Sequence, residues 1–332
     1  MALLETGYRP WHGQVQNVWK RRAVVARHTM RTCLRGRVVR FLVIVPWVLA
    51  LVTVIAYFGV GQILVPDGLM EPLNFYLLNG RGRAIMDGLV AWMALYPDIT
   101  VRAVANFLLL SLAGFAQTIS FLIITIVIPR LLTQDVASNA IVVYSSRAIS
   151  RLDYLGGKLA GLLGVLTLSW LGPVLTAWFL GNVVAPDWTF FWHARSALVH
   201  SLLFIVPVMI AVAVIALGIS SLSPKARIAR ATWLIIWILT LPLIGIARIT
   251  HPWLAYLSIS HVIDRLGKAI FSPYQDFIQA RDNLPFFNSV FGKLPTEKIQ
   301  LWGDAPMMGP VIALTIMTAV AVVILWRRIR VL

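Results

Sequence analysis

The chain has 332 residues, of which 59% are hydrophobic and 13% charged, and its 29 lysines and arginines outnumber 13 acidic residues, giving a formal net charge of +16. The apolar residues fall in long blocks rather than in the spaced pattern of a soluble core. This composition excludes an ordinary soluble domain and indicates a polytopic membrane protein. The single cysteine, Cys33, excludes an intramolecular disulfide and a cysteine-cluster metal site.

The first segment, residues 1–37, is predicted to be a cytoplasmic amphipathic interfacial helix. Apolar residues recur there at helical spacing, and most basic side chains lie off that stripe. Anionic headgroups would attract the basic face, while Trp19 and the aliphatic side chains would enter the interface. A nucleic-acid-binding arm is the alternative, but no aromatic residues alternate with the basic ones in a stacking pattern. We therefore expect membrane lipids, and no nucleic acid, as partners.

Residues 38–332 are predicted to form one transmembrane permease domain with six apolar spans, since a hydrocarbon core of about 30 Å needs about 20 apolar residues. The fifth span is short, and Pro242 would kink it, so a re-entrant hairpin is the alternative there. The sequence thus predicts an all-α polytopic membrane protein, with six transmembrane helices preceded by the amphipathic interfacial helix. The predicted spans are 39–63, 103–128, 159–181, 198–222, 231–247 and 307–326, and the predicted outer loops are 64–102, 182–197 and 248–306, the last with a helix-like patch at 259–270.

The charge distribution orients these spans, because lysine and arginine accumulate in cytoplasmic segments close to the membrane. The N-terminal forty residues, the 129–158 loop, the 223–230 turn and the C-terminal tail hold 19 of the 29 basic residues, but only three acidic ones. The segments on the other side hold ten basic and ten acidic residues, so the whole excess of +16 lies on one face. We assign that face, and both termini, to the cytoplasm.

Residues 129–158 form a polar, basic loop between the second and third predicted spans. A short helix is predicted from Leu131, and Ser150 with Asp153 three residues later resembles a capping box that opens the next helix. Small residues then recur at four-residue spacing, a pattern that lets helix backbones approach closely. They lie on two ridges, one with Gly156, Ala160 and Gly164 and the other with Gly157 and Gly161. On composition alone this is an ordinary loop whose Arg147, Arg151 and Lys158 anchor helix ends at the headgroups.

The loop also contains a series of short motifs: Pro-Arg, Gln-Asp, Ser-Asn-Ala, a Tyr-Ser-Ser-Arg turn, and Ser-Arg-Leu-Asp-Tyr followed by Gly-Lys. This arrangement resembles the cytoplasmic loop of ABC-2 type transporter permeases. In that family a basic amphipathic helix precedes six spans, and the loop after the second span carries a coupling helix that docks on a separate ATPase subunit. One departure is Ala148, where members often have proline. The resemblance implies an ATPase-coupling interface of Gln134, Asp135, Ser138, Asn139, Tyr144, Arg147, Ser150, Arg151, Tyr154 and Lys158.

The energy source of such a transporter would lie outside this chain. The pair Gly157-Lys158 is followed by Leu159 and lacks the first glycine of a P-loop, so we expect no ATP binding or enzymatic activity here. ATP and Mg would be bound by the partner subunit, and this chain would hold no cofactor or metal. The predicted spans contain no carboxylate and only His200 as a histidine, unlike a proton-coupled carrier.

Four polar residues in the second and third spans are candidates for a substrate path, although interhelical hydrogen bonds are the alternative role. They are Asn106, Gln117, Ser120 and Thr167.

The predicted function is the membrane-spanning permease subunit of an ABC-type exporter in the bacterial inner membrane, with two permease copies and two ATPase subunits. A secondary transporter or channel, and an integral membrane lipid-modifying enzyme, are the alternatives. The sequence does not identify the exported substrate.

Overall fold

A computed structural model describes residues 17–64, 95–138, 150–185, 188–242, 244, 251–273, 275 and 307–331. Every regular element within these ranges is helical. The helices are α1 (Val18–Leu34), α2 (Arg37–Leu64), α3 (Pro97–Ile128), α4 (Gln134–Ala137), α5 (Arg151–Leu166), α6 (Gly172–Val184), α7 (Thr189–Leu222), α8 (Ala226–Leu234), α9 (Ile259–Phe271) and α10 (Met308–Val331). Three π-helical turns, Pro129–Thr133, Thr167–Leu171 and Ile235–Leu239, and the 3₁₀ helix Pro252–Leu257 complete them.

Five helical segments in the described part are long and apolar enough to cross a membrane, which confirms an α-helical, multi-pass membrane protein. They are Arg37–Gln62, Pro97–Thr133, Leu152–Val184, Phe190–Leu222 and Met308–Arg328, and they contain or overlap the first, second, third, fourth and sixth predicted spans. At the predicted fifth span, 231–247, α8 passes into a π-helical turn, and residues 243 and 245–250 lie outside the described ranges. The count of six spans therefore stays a prediction.

Helix α7 occupies the centre of the bundle. Within its most apolar stretch 67% of the residues are buried, against 22% for α2 and for α10, which lie at the periphery. Helix α7 packs on α3 and α10, and α2 packs on α3 and α6. At the contact with α10, a Cβ on Gly218 would lie 3.1 Å from the Cβ of Ala321, so the two backbones approach closely.

The predicted N-terminal helix is present as α1, and it packs along α5. The glycine ridge of Gly157 and Gly161 forms the contact: a Cβ on Gly161 would lie 2.6 Å from Thr29 Cβ and 2.7 Å from the carbonyl oxygen of Ala26. Gly156, the first residue of the other predicted ridge, lies outside this contact, because a Cβ on it would meet no atom within 4 Å. Residues 1–16 lie outside the described ranges, and the interfacial position of α1 stays a prediction.

Within the predicted loop 129–158, α3 continues through the π-helical turn Pro129–Thr133 into α4. The short helix predicted from Leu131 is therefore an extension of the second span, and Leu131 is fully buried. The predicted capping box is confirmed, since Ser150 Oγ accepts a hydrogen bond from the backbone N–H of Asp153 at 3.1 Å and α5 begins at Arg151. Residues 139–149 lie outside the described part.

The Ser220 side chain of α7 inserts into the π-helical turn Pro129–Thr133 at the end of α3. Its Oγ accepts hydrogen bonds from the backbone N–H groups of Leu132 (2.9 Å) and Thr133 (3.1 Å) and donates one to the carbonyl oxygen of Ile128 (2.7 Å). A buried hydroxyl thus replaces backbone partners within the turn, as an inserted side chain does at many helix distortions. The Thr133 hydroxyl donates to the Ser220 carbonyl at 2.8 Å, so α7 is joined to the start of the central loop.

Proline explains the second π-helical turn, Thr167–Leu171. The backbone N–H of Gly172 donates to the Thr167 carbonyl, five residues back, and the next bond in this register would need an N–H from Pro173. Because proline has no N–H, the Leu168 carbonyl would lose its partner. The indole N–H of Trp47 on α2 donates to that carbonyl at 2.8 Å and satisfies it.

The predicted helical patch in the 248–306 loop is confirmed as α9, which packs against α3, α7 and α10. A Cβ on Gly267 would lie 3.1 Å from Leu110 of α3 and 3.2 Å from the ring of Phe204 of α7. Leu110 lies near the middle of α3, so α9 packs within the described bundle. The assignment of residues 248–306 to an outer loop stays a prediction. An amphipathic helix can enter here because its buried face, with Ile263 and Phe271, meets the bundle.

Candidate functional site

The two sides of the central loop are joined by three polar side chains, which we call the loop-end cluster: Asp135, Tyr154 and Lys158. Lys158 Nζ lies 2.6 Å from Asp135 Oδ2, and the Tyr154 hydroxyl donates a hydrogen bond to the same oxygen. Lys158 Nζ also lies 5.4 Å from the centre of the Tyr154 ring, within cation–π range. Because the Lys158 side chain is only 8% exposed, its ammonium needs this carboxylate as a partner.

A second ion pair joins α1 to the beginning of α5. Arg22 Nε donates to Asp153 Oδ1 at 2.6 Å, and Arg22 Nη2 lies 2.5 Å from the same oxygen. The other carboxylate oxygen, Asp153 Oδ2, accepts a hydrogen bond from Ser150 Oγ at 2.7 Å. Asp153 therefore bonds both to Ser150, which caps the start of α5, and to Arg22 of α1.

Arg130 connects the end of α3 to the end of α1. Its Nη1 donates to the carbonyl oxygens of Thr32 (3.2 Å) and Cys33 (3.4 Å), which lie in the last turn of α1. A cation is favourable at this end of a helix dipole. Burial raises the pKa of the Cys33 thiol to about 11, against the opposing positive charges of Lys158 and Arg130. The thiol is therefore protonated at neutral pH.

The predicted coupling residues divide into two groups. Gln134 and Ser138 are exposed, and the Ser138 hydroxyl donates to the Gln134 carbonyl at 2.9 Å. The side chains of Asp135, Ser150, Tyr154 and Lys158 contact one another or neighbouring helices, as described above. Arg151 begins α5, but its side chain, like all of Asn139, Tyr144 and Arg147, lies outside the described part.

Sequence reasoning missed three residues of this region as functional candidates: Arg22, Arg130 and Ser220. Arg22 belongs to a run of basic residues in which no pattern distinguishes the one that pairs with Asp153. Arg130 was seen only as part of a motif, and a serine within an apolar helix, such as Ser220, gives no signal of its distant partner. Asp153 was recognised for its capping role but not for its pairing with α1.

The predicted substrate-path residues do not converge. Asn106 is buried, and its Oδ1 lies 3.1 Å from His200 Nδ1 of α7. Ser120 is also buried, and its hydroxyl lies 2.8 Å from that of Ser169. These two residues form interhelical hydrogen bonds, the alternative role. The Thr167 hydroxyl lies 3.9 Å from the sulfur of Met209, whereas Gln117 lines an open groove.

We call this the lateral groove; it lies between α3, α9 and the π-helical turn Ile235–Leu239, with a volume of about 680 Å³. Small-ligand sites commonly measure roughly 300–1,000 Å³. An ion pair lies in its wall, with Lys268 Nζ 2.7 Å from Asp264 Oδ2. The lining residues are Phe107, Leu110, Ser111, Gly114, Gln117, Thr118, Phe204, Trp237, Ser260, Ile263, Asp264, Gly267, Lys268 and Pro273.

No protein-family model matches this chain, and no curated protein matches it.

Proposed function

We propose that this chain is the membrane-spanning permease subunit of an ABC-type export complex of the ABC-2 family. Two copies would bind two separate ATPase subunits, which hydrolyse ATP and dock on residues 129–158. The complex would lie in the bacterial inner membrane, with both termini of this chain in the cytoplasm. The predicted interface implied by the loop motifs, and the one-sided excess of positive charge, support this assignment.

The observation that carries the proposal is the loop-end cluster. Because Lys158 and Tyr154 of α5 bind Asp135 of α4, the two ends of the central loop are held together. A displacement of the loop by an ATPase would therefore reach α3 and α5 together. The buried hydrogen bonds of Ser220 extend the same connection to α7, the central helix. The described ends of the loop are thus connected to three long helices, α3, α5 and α7.

Within this region, exposed and buried side chains have different roles. Gln134 and Ser138 are exposed at the beginning of the loop and would contact the ATPase. Asp135, Tyr154 and Lys158 would keep the loop ends together during docking. In the proposed cycle, nucleotide binding closes the ATPase pair, displaces the loop and tilts α3 and α5, which opens a path for substrate between the permease copies.

The direct test is copurification of the tagged chain from its native membrane in mild detergent. A P-loop ATPase subunit, encoded beside this gene, is expected to copurify in equal amount. A carrier, a channel or a lipid-modifying enzyme would need no such subunit, so its repeated absence would contradict the proposal. Reconstituted with that subunit, the chain is expected to raise the ATPase rate.

A pair of charge variants tests the docking surface. Gln134→Glu with Ser138→Glu lowers the charge by two at exposed positions of the loop, and we expect it to weaken copurification by repelling an acidic ATPase surface. Lys225→Glu lowers the charge by the same amount in the 223–230 turn, outside the loop, and serves as the control. Equal effects of the two variants would contradict docking on this segment.

A further inference from the structure

The lateral groove combines apolar walls with an ion pair that spans one helical turn. The apolar surface is formed by five side chains: Phe107 and Leu110 of α3, Phe204 of α7, Trp237 of the π-helical turn Ile235–Leu239, and Ile263 of α9. Phe107 is 61% exposed, so this surface extends to the outside of the bundle. Because α3 is one of the helices able to span a membrane, the groove is open towards the lipid-facing side of the described bundle.

The ion pair lies beside the apolar wall of the groove. Asp264 and Lys268 are on α9, whose Gly267 contacts Leu110 near the middle of α3. Charged side chains next to apolar surface need a charged or hydrogen-bonding partner, because an unpaired charge in an apolar environment is costly. Here the pair lies in the groove wall, and the Asp264 side chain remains 52% exposed. Both side chains line the groove, and that of Asp264 is the more exposed of the two.

The charges of the ion pair indicate which class of ligand the groove would bind. One carboxylate and one ammonium, 2.7 Å apart on residues one helical turn apart, carry no net charge together but offer a site of each sign. The matching ligand carries both signs too: a phosphodiester to approach Lys268 and an ammonium to approach Asp264. Gln117 and Ser260 add neutral hydrogen-bonding groups to the same lining. The aromatic walls suit an acyl chain, so the ligand is an amphiphile.

We propose that the lateral groove binds a zwitterionic phospholipid, with its headgroup at Asp264 and Lys268 and one acyl chain between Phe107 and Trp237. The inference goes beyond the proposed function and does not depend on it, because binding can be measured on the permease chain alone, in the absence of any ATPase. It assigns the groove a ligand class, a headgroup site and an acyl-chain path.

Gly114 provides a way to close the groove without disturbing the fold. It lines the groove, and a Cβ built on it would meet no atom within 4 Å. Gly114→Leu should therefore place a side chain in the groove without a clash. Gly156 on α5 also has open space around its Cβ position, but it lies outside the groove, so Gly156→Leu is a matched control.

The experiment uses the purified full chain and phosphatidylethanolamine with a photoreactive acyl chain. We expect crosslinks on peptides that contain Phe107, Trp237 or Ile263, with roughly tenfold less labelling in Gly114→Leu and unchanged labelling in Gly156→Leu. Asp264→Asn should also reduce labelling roughly tenfold, the effect of losing one charge-assisted hydrogen bond. Thermal unfolding of each variant checks that the fold is retained.

Four outcomes would overturn the assignment. Labelling of the wild-type chain outside the groove peptides would exclude the groove as the site. Equal labelling of Gly114→Leu and Gly156→Leu would show that the crosslinks arise from the general lipid surface. Equal labelling by an anionic phosphatidylglycerol probe, or full labelling of Asp264→Asn, would exclude headgroup selection by the ion pair.

Discussion

Lys158 and Asp135 form an ion pair of 2.6 Å between α5 and α4, and this pair closes the base of the central loop. The lysine is almost fully buried, so its charge is matched by the aspartate carboxylate and not by water. A loop whose ends are joined in this way transmits displacement to both flanking helices. The ion pair is thus a structural connection within the chain, which leaves the exposed side chains of the loop to meet a partner.

A double-mutant cycle measures this connection. Asp135→Asn alone leaves a buried ammonium without its counter-charge and is expected to destabilise the fold by about 3 kcal/mol. Lys158→Met alone leaves a partly exposed carboxylate with one partner fewer and is expected to cost less. The combination should cost clearly less than the sum, because no unpaired charge remains. The midpoint of thermal unfolding in detergent reports the change, and strictly additive effects would show that the pair is not coupled.

The close contact of α1 with α5 makes the glycine ridge intolerant of even one methyl group. Gly161→Ala would place a Cβ 2.6 Å from Thr29 Cβ and 2.7 Å from a backbone carbonyl, so α1 must shift, at a cost of about 1–3 kcal/mol. The control is Gly156→Ala on the same helix, where the added methyl meets open space and should stabilise the helix by up to about 1 kcal/mol. Thermal unfolding of the two variants should move in opposite directions, and equal shifts would contradict the packing described.

Cys33 is the only cysteine of the chain and a built-in reporter of this contact. The thiol is buried, and the rise of its pKa from 9.0 to about 11 lowers the thiolate fraction at neutral pH roughly 100-fold. We expect maleimide to label the wild-type chain slowly, with the rate rising as the pH approaches 11. Gly161→Ala should accelerate labelling and Gly156→Ala should not. Rapid labelling of the folded wild-type chain at neutral pH would contradict the position of Cys33.

Ser220 stabilises the distorted turn at the end of α3. In Ser220→Ala the backbone groups of Ile128, Leu132 and Thr133 lose a buried partner, at an expected cost of about 1–3 kcal/mol. Ser201→Ala is the control, because Ser201 is equally buried in α7 but donates only to the Ala197 carbonyl of its own helix. The difference between the two unfolding midpoints measures the contribution of the inserted Ser220 hydroxyl. Equal midpoints would show that this hydroxyl does not stabilise the turn.

Much of the fold was predictable, because apolar length and local side-chain chemistry determine it. The capping box at Ser150 depends on residues three apart, and the ridge of Gly157 and Gly161 on residues four apart, so a single helix carries both signals. The helical patch at 259–270 was recognised for the same reason, from its own periodicity. Its contacts with Leu110 and Phe204 could not be predicted from that periodicity, because both residues lie far away in sequence.

The unpredicted parts of the candidate site all depend on contacts between distant segments. The pairing of Arg22 with Asp153 joins residues 131 positions apart, and the insertion of Ser220 joins residues 88 positions apart. No local pattern marks either partner. Asp135 illustrates the same limit: its place in the loop motif indicates contact with a partner, whereas the structure places its carboxylate against Tyr154 and Lys158.

The packing of α1 on Gly157 and Gly161 constrains the order in which the chain can assemble during synthesis. Helix α1 leaves the ribosome first, but the surface that receives it belongs to α5 and appears only after α2 and α3 have been made. Since α1 cannot complete its contacts before then, it must remain at a temporary location until α5, which ends at Leu166, has been made. Its basic and apolar faces suit the membrane surface for that interval. Docking of α1 then follows the insertion of α2 and α3, and a glycine substitution in α5 would delay this docking while leaving the earlier membrane insertion intact.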